Sequence, residues 1–160
     1  MDTTNLTASE DKIIEFATFY VGDLLIGIDI QQVQEINRQL DSTDVPHTPD
    51  YILGVINLRG EVVTVLDLRV ILNMPPAEIN TKSRNIIINS NNERIGLLVD
   101  SISDVVIARE KEIEPPPANI SGADEKFFQG VYKLEDNLLV ILDVEKILFL
   151  EVEAETKIGA

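Results

Sequence analysis

The sequence predicts a mainly β protein, built as barrels or a sandwich, that carries two copies of one small unit. Three observations point there. Apolar stretches of 5–8 residues, rich in Val and Ile, recur between turn-forming residues. A 19-residue segment repeats without a gap 76 positions later. The chain has 160 residues and 44% apolar content, enough for one packed domain or two very small ones.

Taken in order, residues 1–12 are polar and read as a tail. From Ile13 the pattern becomes strand-like, with Phe16, Thr18 and Tyr20 alternating with Ala17 and Phe19, and Gly22-Asp23 supplies a turn. Further strand-like runs follow at 24–30, 51–58, 61–66, 85–89, 94–99, 127–134 and 137–142. After Asp67 and Asp143 short helices are expected, because an Asp side chain accepts hydrogen bonds from the first free backbone N–H groups of a helix. Pro75-Pro76 ends the first of these, and Pro115-Pro116-Pro117 marks a stiff exposed loop. Residues 151–160 read as a C-terminal tail.

The repeat is the most informative feature. Residues 54–72 align with 130–148, and Gly54/Gly130, Val55/Val131, Leu58/Leu134, Leu66/Leu142, Asp67/Asp143, Ile71/Ile147 and Leu72/Leu148 are identical. A second alignment, at an offset of 95 − 26 = 69, places Ile26-Gly27-Ile28 on Ile95-Gly96-Leu97. It also places Ile30, Val33 and Ile36 on Val99, Ile102 and Val105, and Glu35 on Asp104. Apolar positions three apart predict one helical turn in each segment, with one face turned inward. The copies span about 13–80 and 81–150. Each is too short to bury a sufficient core alone, so the two are expected to pack or interlock.

Differences between copies point to what function added. Asn57-Leu58-Arg59-Gly60 becomes Lys133-Leu134-Glu135-Asp136, so the fold does not require a cation at Arg59. Arg59 is also one of four basic residues in the first 80, with Lys12, Arg38 and Arg69. A forked guanidinium pairs well with a carboxylate, within the chain or across an interface.

The inventory excludes much chemistry. There is no cysteine and a single histidine, His47, so disulfides, thiolate zinc sites and two-imidazole schemes are ruled out. His47 sits in a proline-bounded loop, Val45-Pro46-His47-Thr48-Pro49, and reads as structural. Asp23/Asp29 and Asp41/Asp44 lack the spacing of a calcium loop, and no glycine-rich phosphate loop is present. A net charge of −15 with 5% aromatics argues against nucleic acid and against an anionic membrane surface. The N-terminus has no basic, apolar leader, and no apolar run approaches a membrane span, so a cytoplasmic protein is expected. No catalytic site, metal or cofactor is expected.

The run from Val45-Pro46 through Tyr51-Ile52-Leu53-Gly54-Val55-Ile56-Asn57-Leu58-Arg59-Gly60 to Leu66-Asp67-Leu68-Arg69 resembles the signature of the CheW-like adaptors of bacterial chemotaxis. Gly27-Ile28-Asp29-Ile30, Val33-Gln34-Glu35-Ile36 and Gly96-Leu97-Leu98-Val99-Asp100 resemble it too, and the likeness covers about 14–149. It implies two intertwined five-stranded β-barrels and a non-catalytic adaptor. It further implies two partners: the cytoplasmic hairpin tip of chemoreceptors, lying in a groove near the barrel junction, and the regulatory CheW-like domain of the histidine kinase CheA. Paralogous domains would pair in ring-like arrays, without membrane insertion. By position, Val33, Glu35, Gly54 and Arg59 fall where the family is sensitive to its partners. The turn 133–136 lacks the Asn-Leu-Arg-Gly motif, so no second equivalent site is expected. Rival readings are an adaptor of another chemosensory array, such as one for surface motility, and a small-molecule-binding β-barrel.

Overall fold

The computed structural model describes residues 12–150; the two tails expected at 1–12 and 151–160 lie outside it, apart from Lys12. The chain is mainly β. Strands β1 (Ile13–Val21), β2 (Leu24–Asp29) and β3 (Val33–Asn37) are followed by β4 (Ile52–Leu58), β5 (Glu61–Asp67) and a short helix α1 (Leu68–Ile71). Next come β6 (Arg84–Ser90), β7 (Glu93–Val99), β8 (Ser101–Ile102) and β9 (Val106–Arg109). The strands β10 (Asn119–Ile120) and β11 (Ala123–Asp124) form a separate small hairpin. Strands β12 (Phe128–Lys133) and β13 (Leu138–Leu142) lead into a helix that covers 144–150.

The sheets do not follow the order of the copies. A five-stranded sheet runs β3-β6-β7-β5-β4, and a six-stranded sheet runs β12-β13-β2-β1-β8 with β9 also on β1. Each therefore takes one hairpin from each copy. The junctions are parallel: β5 beside β7 in one sheet, β13 beside β2 in the other.

This exchange explains the unbroken apolar runs. Phe16, Leu25, Ala108, Leu139 and Ile141 form a core within the six-stranded sheet, and Ile56, Leu58, Val63, Val65, Ile87 and Leu98 form one within the five-stranded sheet. Their strand neighbours, such as Ile26, Ile28, Ile86, Ile88, Val140 and Leu142, face the opposite way into a third core shared by both sheets. Strands buried on both faces read as continuous Val/Ile/Leu rather than as alternation.

Both sheets are closed at a seam. Beyond β3 the chain returns to the far edge, where Thr43 and Val55 exchange two backbone hydrogen bonds of 2.9 Å. Beyond β9, Glu114 and Val131 do the same at 2.9 and 2.8 Å. A register shift precedes each seam residue, at Ile52/Gly54 and at Phe128/Gly130. The repeated glycine is what lets the strands meet. A Cβ on Gly54 would stand 2.3 Å from the Thr43 carbonyl oxygen, and one on Gly130 would stand 2.7 Å from that of Glu114.

The helix starts also repeat. Asp67 accepts from the Arg69 N–H, and with its other oxygen from the Ala77 N–H, both at 3.0 Å. Asp143 accepts from the Lys146 N–H at 3.4 Å. The backbone N–H of each Asp donates to the equivalent carbonyl, Tyr51 at 2.8 Å and Phe127 at 2.7 Å. From α1, Arg69 grips Asp100 in a fork of 2.9 and 2.6 Å, and Asp100 also accepts from the Gly22 N–H at 2.8 Å. This ties α1 to the end of β7 and to the β1–β2 turn.

One sequence expectation is corrected. Only Ile30–Gln32 forms a helical turn, of the 3-10 type; Val33–Asn37 is a strand with a bulge, and β8 occupies the corresponding place in copy two. The three-residue spacing arises from a turn followed by a bulge, which shifts strand periodicity by one residue. Ile30 and Ile36 are 38% and 40% exposed, so that face does not turn fully inward.

Two stability measurements follow. Gly54→Ala should cost about 2–4 kcal/mol in urea unfolding, from the clash and the positive φ of +147°. Gly122→Ala meets no neighbour, and only its φ of +86° opposes it, so it should cost less. Burial raises the Asp100 carboxyl, but the Arg69 and Gly22 hydrogen bonds outweigh this and leave it below the usual Asp value. An unfolded Asp titrates near ~3.9. The contribution of Asp100 is therefore complete above about pH 4 and is lost as pH falls through the lower folded value. Asp100→Asn should cost about 1–3 kcal/mol at neutral pH, with the difference from wild type vanishing in acid.

Candidate functional site

The four residues singled out by sequence lie on the five-stranded sheet, and two of them are in direct contact. Arg59 sits in the two-residue turn between β4 and β5. With Gly60 it has a positive φ, 52° and 87°, the geometry of a type I′ hairpin. The Asn57 side-chain oxygen accepts from the Gly60 N–H at 2.9 Å and fixes that turn. The guanidinium is thereby held out from the sheet, 70% exposed, and its Nη1 pairs with Oε1 of Glu35 on β3.

Glu35 owes its position to the β3 bulge, which falls between Val33 and Glu35. Its second oxygen, Oε2, accepts from Asn37 Nδ2 at 3.1 Å. The hydrogen bond from Arg59, and then that from Asn37, hold the carboxyl below the usual Glu range. The same pairing raises the Arg59 guanidinium above its ordinary value. Glu35 is thus an anion with both oxygens engaged.

Sequence reasoning missed the rest of the network. Asn37 Oδ1 accepts from the Gln39 N–H at 2.9 Å, and Gln39 Nε2 donates to the Asn57 carbonyl at 2.8 Å. Glu35, Asn37 and Gln39 therefore stitch β3 to the β4–β5 turn, across the seam that Thr43 and Val55 close. The available signal was three polar residues two apart, which share one face of an extended chain.

Gly54 lies at this seam, where its missing side chain admits the Thr43 carbonyl. Val33 does not join the polar network. It pairs with Ile88 and packs, half-buried, against the shared core. Copy two lacks an equivalent ion pair, because the positions matching Glu35 and Arg59 are Asp104 and Glu135, both acidic. Its seam instead carries Lys133 against Glu114 at 3.5 Å.

Among the described residues, no group of three or more His, Asp or Glu gathers as a metal site would need, and no helix is long and apolar enough to cross a membrane. His47 is exposed in its loop.

Comparison with known proteins gives a consistent answer. Residues 15–151 match the model of the CheW-like domain. The chain is 34% identical over 141 residues to a probable chemotaxis protein CheW of Rhizobium etli, covering 88% of this chain and 90% of that protein. It is 36% identical over 146 residues to the chemotaxis protein CheW of Bacillus subtilis, covering 91% of each. The crystal structure of the scaffolding protein TtCheW from Thermoanaerobacter tengcongensis superposes with a TM-score of 0.76 at 32% identity, over 82% of this chain and 85% of that one.

Proposed function

Because this chain belongs to the CheW-like domain family, we propose that it is a non-catalytic adaptor of the cytoplasm, coupling chemoreceptor hairpin tips to the regulatory domain of the histidine kinase CheA. Residues 13–150 act as one unit in this reading, and paralogous domains join it in ring-like arrays. The relatives' chemotaxis and scaffolding names support the reading.

The observation that carries it to a surface is the Glu35–Arg59 pair. It crosses a seam that the Thr43–Val55 bridge already closes, so the fold does not need it, and copy two does without it. An exposed ion pair contributes little to stability. Its use is to hold two charges and a strand edge in one shape for a partner. Exposed Ile36 on the same strand, and Val62 just beyond the turn at 71% exposure, supply aliphatic surface on the other face of this sheet. An amphipathic helix docks its apolar face on such surface, while rim charges set register and the rate of association.

Arg59→Glu should weaken pulldown of the cognate receptor fragment or kinase regulatory domain by about three- to tenfold, since rim charges tune rather than dominate affinity. The melting temperature should stay nearly unchanged. Exchange of the charges, Glu35→Arg with Arg59→Glu, should restore the shape without restoring the sign. If Arg59→Glu unfolds the chain, Arg59 is structural; if both partners bind it as tightly as wild type, the assignment is wrong.

A further inference from the structure

One side chain inside the five-stranded sheet does not suit its place. Asn85 on β6 is 1% exposed. It pairs with Leu98 and lies two residues from Ile87, so it shares the face that lines the core within that sheet. Its Nδ2 donates to the Gln39 carbonyl in a long hydrogen bond of 3.4 Å. Its Oδ1 has no partner, the one buried side-chain polar atom among the described residues of which this is true. Gly96 makes the room for it, since a Cβ there would stand 2.6 Å from that oxygen. A buried amide with an unpartnered oxygen opposes folding, so stability does not account for Asn85.

The six-stranded sheet shows the apolar solution to the same position. At the offset of 69 residues, Asn85 corresponds to Phe16, Gly96 to Gly27, Asn37 to Val106 and Gln39 to Ala108. The registers agree, since Phe16 pairs with Val106 as Asn85 pairs with Asn37. Phe16 and Ala108 belong to the core within the six-stranded sheet, and Val106 packs against it. One sheet thus fills this corner with a ring and two aliphatic side chains, while the other places Asn85, Asn37 and Gln39 there.

The connections of this polar set lead to the surface. Gln39 stands at its centre: its carbonyl accepts from Asn85, its N–H donates to Asn37 Oδ1 at 2.9 Å, and its Nε2 donates to the Asn57 carbonyl at 2.8 Å. Asn37 leads on to Glu35 at 3.1 Å, and Glu35 to Arg59. Asn57 leads to the Gly60 N–H at 2.9 Å, in the turn that carries Arg59. Gln39 is itself exposed, so water competes for its bonds. Asn85 is the member that the core holds still, on a strand flanked by β3 and β7.

We infer that Asn85 is a buried positioning residue: from inside the sheet it holds Gln39, and Gln39 sets the strand edge and the turn that present Glu35 and Arg59 to a partner. The inference rests on the adaptor reading and adds the internal support of the docked surface. A surface whose side chains are held in the bound arrangement before contact loses less freedom on binding. Asn85 therefore acts on affinity, at the expense of the core around it.

The test sets stability against binding in the full chain. Asn85→Leu keeps the volume and removes both polar atoms. Its urea midpoint should equal or exceed that of wild type. Its affinity for the partner that Arg59→Glu weakens, receptor fragment or kinase regulatory domain, should fall about three- to fivefold. Hydrogen exchange at the Gln39 and Gly60 amides should quicken by about threefold, while that at Thr43 and Val55 across the seam stays as in wild type. Gln39→Ala should lose affinity similarly, and the double variant should lose less than the two losses combined. If leucine does not fit, Asn85→Ala, which cannot overpack, must show the same affinity loss and the same exchange pattern. Unchanged affinity in Asn85→Leu, or losses that combine fully with those of Gln39→Ala, would overturn the inference while leaving the adaptor reading standing. A lowered midpoint with exchange quickened throughout the sheet would overturn it too, making Asn85 merely structural. Failure of the wild-type chain to bind either partner would overturn the adaptor reading and this inference with it.

Discussion

Residues Thr64 to Asp67 of β5 run beside Ile95 to Leu98 of β7 in the same direction, and Leu139 to Ile141 of β13 run likewise beside Leu25 to Gly27 of β2. Each pairing joins one copy of the repeat to the other, and the rest of the architecture depends on them. Antiparallel hairpins are local and form within a copy, whereas a parallel pair needs a partner brought from elsewhere in the chain. Once hairpins are exchanged, each strand between them is buried on both faces. One face serves the interior of its own sheet and the other the shared core. That is how copies of modest length obtain three apolar cores.

Closure of each sheet adds the second constraint. A carbonyl must come closer to the opposite strand than any side chain allows, and glycine stands there in both copies. What the copies share is therefore mechanical: the bulge, the seam, the Asp that starts each helix. What they do not share lies on the surface. Glu35 and Arg59 correspond to Asp104 and Glu135 in the other copy. Duplication left one copy's surface positions free to diverge while the other still met the same folding requirements.

Much of this was legible in the sequence for a definite reason. Features that repeat at fixed spacing are encoded locally, and Gly54/Gly130 and Asp67/Asp143 act alike wherever the chain places them. Arg59 was visible because its charge reverses between copies. Its partner could not be read as such, since Glu35 reaches Arg59 only through a strand order that leads β3 around the sheet to β4. The bulge at Val33 and Glu35 was equally hidden: an extra residue in a strand mimics helical spacing over one turn. Hairpin exchange leaves no local mark, because a buried strand carries the same residues whichever neighbour it has.

The exchange also sets a timetable for a chain made from its N-terminus. In the five-stranded sheet the parallel partners Val65 and Gly96 are 96 − 65 = 31 residues apart, and the last strand needed ends at Val99. In the six-stranded sheet Leu25 and Leu139 are 139 − 25 = 114 residues apart. Long separations delay contact formation. The hairpin of β1 and β2, made before the other strands, must wait for β13, and until then Leu24, Ile26 and Ile28 lack Val140 and Leu142 from their core. The first-made hairpin of this fold is thus among the last to be enclosed, and in that interval its apolar faces have most need of protection.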